Sequence, residues 1–227
     1  VLPVVVGVSG LVYLLAATRK VRAVVYLLKP GTMLLIILLA ALRLAGSAYP
    51  DSVYGVAIVA GLVCSVVGDV FLMLPRDRFI AGLVAFLMAH LCYIGGMGKA
   101  LAGLWGGGAG GLMAAHIAAG FALLLAGTLL FRRLAAGLKA RHKARLLAPV
   151  LVYSTVISVM VWLALLGLPG RAALPYRPAL AAAGAVLFYL SDSALAWDKF
   201  VGSLPGREIL VMGTYFAAQT CFALSII

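Results

Sequence analysis

A helix needs roughly 20 mostly apolar residues to cross the hydrocarbon of a bilayer, and this chain of 227 residues holds eight such runs. They fall at 1–17, 24–45, 53–74, 79–97, 109–131, 146–168, 179–197 and 209–227. Each gap carries a punctuator: Arg19-Lys20, Pro50-Asp51, Pro75-Arg76-Asp77, Gly106-Gly107-Gly108, the basic run 132–145, Pro169-Gly170 and Pro205-Gly206. Loops this short leave no room for a second domain. The expected fold is therefore all-α: one polytopic bundle of eight transmembrane helices over residues 1–227. Composition agrees, because 65% of the residues are hydrophobic and 11% charged, where a soluble domain carries about 25% charged residues. That excludes an ordinary water-soluble enzyme, a disordered chain and a disulfide scaffold. Cys64, Cys92 and Cys221 all lie inside runs without CxxC spacing and read as buried apolar thiols. The first run has no charged leader and no A-x-A-like cleavage site, so it reads as a span rather than a signal peptide. Pro30 interrupts the second, and 23–29 is expected to be an interfacial turn or a kinked entry.

The net charge of +12 is lopsided. Counting Lys29, before the Pro30 break in the second run, with the first gap, fourteen of the 18 Lys and Arg residues belong to the first, third, fifth and seventh gaps. The positive-inside rule puts those gaps in the cytoplasm and both termini on the non-cytoplasmic side. The run 132–145 then reads as a topology signal and a contact for anionic headgroups. It has no aromatic interleaving, so nucleic acid is not an expected partner. The glycine-rich stretch Gly103–Gly111 lacks a following Lys-Ser or Lys-Thr and reads as an external loop, not a phosphate loop. Internal repeats are not evident, which weakens an inverted-repeat transporter reading.

Acids are scarce, and their positions are informative. An intramembrane carboxylate costs about 2.5–3.5 kcal/mol on the lenient insertion scale, so it marks a functional site by default. Of six acids, Asp51, Asp77, Asp198 and Glu208 lie at span ends. Asp69, in Ser65-Val66-Val67-Gly68-Asp69, and Asp192, in Ser191-Asp192-Ser193, do not. Each lies about five residues before the inner end of its span, or roughly 7–8 Å below the boundary at 1.5 Å per residue. Two acids at equal depth can share a cavity. In the fourth run Gly82, Phe86, His90 and Tyr93 share one helical face, as do Tyr215 and Gln219 in the last. Lys29 stands at the same cytoplasmic edge, where it either snorkels to headgroups or binds a substrate phosphate. His116 has no acidic partner in its surroundings and reads as a packing residue.

Asp69, His90 and Asp192 come from three helices without an HExxH or HxxxD pair, a weak metal signal. No G-x-S-x-G elbow supports a serine nucleophile. Paired acids in an apolar cavity suit general acid–base work, one holding a proton while the other is ionised, on reactions that pass through an oxocarbenium-like cation. Which acid takes which part is not readable from spacing; the hydroxyls flanking Asp192 incline the acid role toward Asp69.

Several segments resemble motifs of the YhhN/lysoplasmalogenase family of integral membrane proteins. They are Lys29-Pro30-Gly31-Thr32, Gly68-Asp69-Val70-Phe71-Leu72, the Gly82…Phe86…His90…Tyr93 face, Phe188-Tyr189-Leu190-Ser191-Asp192-Ser193 and Tyr215…Gln219. The matches run in order from Lys29 to Gln219. Gly31 departs from the bulkier residue expected after Lys-Pro. The resemblance implies a hydrolase that cleaves the vinyl ether bond of lysoplasmalogens to a fatty aldehyde and glycerophosphoethanolamine or -choline. It carries Asp69 and Asp192 over as the catalytic pair, with His90, Tyr93, Tyr215 and Gln219 as cavity residues. Lys29, Ser65, Phe86, Phe188, Tyr189 and Ser191 are the other expected substrate-binding or supporting residues, with the tail among Phe86 and Phe188 and the phosphate near Lys29. No metal and no cofactor is expected. The expected partners are a lysophospholipid drawn from the bilayer and membrane lipids, and the expected location is a bacterial cytoplasmic membrane with the site nearer its inner face. The alternatives are a lipid or small-solute transporter using the same acids and a metal-dependent intramembrane lipid amidase.

Overall fold

The computed structural model describes residues 1–49, 52–74, 78–102, 113–168 and 176–227, with backbone only at 113 and 114. Asp51, Asp77, Arg76, Arg171, the Gly103–Gly111 stretch, Pro50, Pro75 and the Pro169-Gly170 punctuator lie outside the described residues. Among those described, the chain forms eight α-helices: α1 (Leu2–Thr18), α2 (Arg22–Ala45), α3 (Val53–Met73), α4 (Phe79–Ala102), α5 (Met113–Ala140), α6 (Leu147–Leu166), α7 (Pro178–Phe200) and α8 (Thr214–Ser225). A π-helical turn, Ile209–Gly213, leads straight into α8. Helices α2 to α7 are long and apolar enough to cross a membrane, and α1 and the stretch Ile209–Ser225 are shorter apolar helices. Their outer faces carry exposed Leu38, Val56, Val63, Leu91, Phe121 and Leu125. A surface that apolar suits lipid rather than water.

Local chemistry sets the helix ends. Ser52 caps α3 by accepting from the Gly55 N–H at 3.1 Å, and Pro178 opens α7 at its first position, where no N–H is needed. Lys20 and His142 adopt positive φ just past α1 and α5. The N–H groups that follow, of Val21 and Lys143, reach back to Ala16 and Leu138, closing both helices in Schellman fashion.

Several boundaries differ from the apolar runs. Helix α2 is continuous through Pro30, with no separate interfacial turn at 23–29; its apolar face keeps packing across the one lost hydrogen bond. Helix α4 continues to Ala102, past the predicted end at 97. Helix α5 continues to Ala140, so Arg132, Arg133 and Lys139 stand on a helix rather than in a loop. Hydropathy loses the helix where the charges begin, but Leu134 and Leu138 still bury against Phe200, Leu146 and Val150.

Six helices close a ring, with α2, α3, α4, α6, α7 and α8 each packed on the next and α8 returning to α2. Helix α1 lies outside against α2, and α5 outside against α6 and α7. The α3–α4 pair is the tightest, because Gly61 and Gly68 let the Tyr93 and Phe86 rings lie on the α3 backbone; a Cβ at Gly68 would come within 2.7 Å of the Phe86 ring. At the end holding the termini, Tyr54 stacks on Tyr176 at 4.2 Å and shares a 2.5 Å hydrogen bond with Ser225. The Arg177 N–H donates to the Ser225 carbonyl at 2.8 Å. These contacts seal the ring there and leave the opposite, basic end to open.

Candidate active site

Asp69 lies one turn before the end of α3 and is 2% exposed. Both of its oxygens are engaged. Lys29 Nζ lies 2.9 Å from Oδ1, and the Tyr215 hydroxyl donates to Oδ2 at 2.7 Å. Lys29 is itself buried, on the ring face of α2. Its ammonium therefore turns inward to a carboxylate, instead of snorkelling to the interface as a Lys near a helix end usually does.

Asp192 has different company. The Tyr153 hydroxyl of α6 donates to its Oδ2 in a short hydrogen bond, and His90 Nε2 lies 3.8 Å from the same oxygen, outside hydrogen-bond range. Neither ring nitrogen of His90 has a hydrogen-bond partner among the described residues. The imidazole packs against Phe188 at 4.7 Å and Tyr153 at 5.2 Å. Ser191 does not support its neighbour: its Oγ donates to the Val211 carbonyl at 2.9 Å. That carbonyl belongs to the π-helical turn, which ends two residues before Tyr215.

Both acids line one cavity of about 460 Å³, together with Lys29, Phe86, Ser191 and Tyr215. Asp198, Lys199, Arg207 and Glu208 add charge to it, and Arg207 Nε is tied to Asp198 at 3.2 Å. A second, small pocket of about 50 Å³ adjoins it and is almost wholly apolar, lined by residues such as Leu83, Leu134, Val150, Ile157 and Tyr189. Leu72, Phe79, Phe86, Asp192 and Leu195 line both. Asp192 thus stands where polar space turns apolar, a setting that suits proton transfer to an amphipathic molecule.

The equal-depth argument expects two acids on one cavity, which both do line, with one wrong distance. Helix α7 ends at Phe200, so Asp192 lies eight residues from its end, against four for Asp69 in α3. Both line one cavity even so, because α7 continues past its apolar run at the basic end.

Other predicted residues stand behind the cavity wall. Tyr93 donates to Gln219 Oε1 at 2.8 Å, and Ser65 Oγ donates to the Gly61 carbonyl at 2.9 Å. All three are buried, as is Phe188, whose ring packs among Phe86, His90, Tyr93 and Tyr215. Tyr189 lines the apolar pocket. His116 keeps to packing, its carbonyl accepting from Trp162 Nε1 at 3.1 Å. Among the described residues, no three His, Cys, Asp or Glu side chains gather as a metal-ligand group.

Tyr153 is the residue that sequence reasoning passes over. A tyrosine in an apolar run carries no warning by itself. Its depth is the available signal, since it lies six residues inside α6, or roughly 9 Å from the helix start at 1.5 Å per residue.

No solved structure matches the chain. Curated proteins do. Lysoplasmalogenase TMEM86B of Homo sapiens is 34% identical over 181 residues, covering 78% of this chain and 66% of that protein. The Mus musculus protein of the same name is 36% identical over 164 residues, 72% of this chain and 60% of its own length. A protein named lysoplasmalogenase from Mycobacterium tuberculosis is 32% identical over 169 residues, 71% and 57% of the two chains. The matched part thus spans slightly less than two thirds of these relatives. The sequence pattern of the YhhN family covers residues 24–226. That interval contains both acids and every side chain that holds them, and the chain belongs to the YhhN family.

Proposed function

We propose that this chain, acting as one membrane domain over 1–227, hydrolyses the vinyl ether bond of lysoplasmalogens. The observation that carries the reading is the placement of Asp69 and Asp192 on one polar cavity that turns apolar at Asp192. A lysoplasmalogen has the same division: a glycerophospho headgroup, then the vinyl ether, then a hydrocarbon tail. Its headgroup fits the charged cavity and the start of its tail the apolar pocket, which brings the vinyl ether to the acids. The names of the relatives support the same substrate class.

The chemistry needs one proton donor and one carboxylate. Protonation of the vinyl β-carbon generates an oxocarbenium ion at the carbon bonded to oxygen; water adds there, and the hemiacetal collapses to an aldehyde and the glycerol hydroxyl. Overall, one water is consumed and the proton returns. Asp69, with Lys29 balancing its charge, fits the carboxylate that faces the cation and takes the proton from water. Asp192, held by the Tyr153 hydroxyl at the edge of the apolar pocket, fits the donor. This reverses the assignment that the flanking serines favour, because Ser191 bonds to the π-helical turn instead. The charge asymmetry supports placing the basic end, and with it the open cavity, in the cytoplasm and the termini on the opposite side.

The test is direct. Purified protein is incubated with a vinyl-ether lysolipid, with and without chelator, and aldehyde is assayed. Metal-insensitive aldehyde release is expected. No aldehyde from folded protein overturns the reading, and loss of activity with chelator overturns the two-acid mechanism.

A further inference from the structure

The small apolar pocket beside Asp192 has a magnitude that matters. About 50 Å³ has room for on the order of four water-sized groups at about 10–15 Å³ each. A fatty chain is several times longer, so most of it must lie elsewhere.

A larger apolar space lies beside it. Between α5 and α6 runs an outward groove of about 490 Å³ with an almost wholly apolar lining. Ser154 lines both this groove and the pocket. The two helices are held together at each end of the groove. Toward the termini, Trp162 bonds to the His116 carbonyl; toward the basic end, Leu134 and Leu138 bury against Leu146, Val150 and Phe200. In between, Gly127 leaves space, since a Cβ there would come no nearer than 3.4 Å to Ser158 and 3.7 Å to the Tyr189 hydroxyl. Helix α5 is the least buried of the long helices, with 6% of its apolar window inside the protein.

We propose that the α5–α6 groove is the tail channel of the site. The substrate's hydrocarbon chain passes from Asp192 through the pocket, past Ser154, and out between α5 and α6 into the bilayer, and the aldehyde leaves along the same path. This rests on the hydrolase reading above and adds to it a chain-length gate at Ser154. Lipid reaches the groove without crossing water, so the chain stays in an apolar medium throughout.

Two substrates of one headgroup test it, one with a hexadecenyl and one with an octenyl chain. Ser154→Phe should narrow the passage, and Gly127→Leu, whose side chain enters the groove further out, serves if Ser154→Phe does not fold. The expected result is a loss of kcat/KM on the long chain at least about 10-fold greater than on the short one. Equal loss on both chains, or no loss on either, overturns the channel while leaving the hydrolase standing. Absence of aldehyde from wild type with both substrates overturns the hydrolase itself. Independently, a non-cleavable alkyl-ether lysolipid carrying a terminal diazirine should label wild-type residues such as Leu124, Thr155 and Trp162. Uniform labelling of all lipid-facing helices overturns the channel, whatever the kinetics.

Discussion

Asp69 and Asp192 share a cavity but not their partners, and single substitutions test the parts proposed for them. Asp69 to Asn or Asp192 to Asn should each lower aldehyde release by roughly 100- to 10,000-fold, the usual weight of a general acid or base. Tyr153→Phe removes one hydrogen bond of about 1 kcal/mol and should lower kcat by about 5- to 10-fold with KM little changed. Steady-state kinetics on purified variants checks both. Lys29 offers a separate reading of the buried pair. Lys29→Met leaves the Asp69 charge uncompensated and should cost about 3–5 kcal/mol, while Lys29→Met with Asp69→Asn should recover most of that loss. Thermal unfolding in detergent measures the difference, and a double variant as unstable as the single one would contradict a buried ion pair.

At the scale of elements, two features position these side chains. Gly68 lets the Phe86 ring lie on α3 close to Asp69. Gly68→Leu should overpack the α3–α4 contact at about 1–3 kcal/mol, whereas Gly7→Leu, with nothing within 4 Å, should leave thermal stability unchanged. The π-helical turn is the second. Deleting Leu210 would relax it to an ordinary α-helical turn and redirect the side chains just after it, Tyr215 among them. Activity should vanish while the far-UV circular dichroism keeps its helical amplitude; retained activity would mean that the turn does not aim Tyr215. Neither feature is legible in hydropathy. Glycine in an apolar run reads as permissive spacing, and a π turn has no residue signature apart from what it packs against.

For the whole molecule, the basic end and the termini end differ in charge, and that difference sets the expected orientation. In a variant lacking the three native cysteines, His142→Cys should react with a membrane-impermeant thiol reagent added from the cytoplasmic side, and Ser47→Cys from the opposite side. The reverse pattern inverts the topology. The closed ring explains why α5 could be peripheral: α4 packs directly on α6, so the bundle is complete without it. Chain order puts α5 between them, and only packing shows that it stands outside.

Much of this protein follows from local chemistry that the chain carries wherever it folds. Apolar length specifies helices, charge asymmetry favours one orientation, and the cost of an intramembrane carboxylate picks out Asp69 and Asp192. Tertiary packing decided the rest. That Lys29 meets Asp69, that Tyr153 meets Asp192 and that Ser191 turns away depend on which helix faces which across the ring. So do the true ends of α5 and α7, because helices persist past the apolar run when one face still buries. The reason is one of range: hydropathy sums over neighbours in sequence, whereas a site is made of neighbours in space.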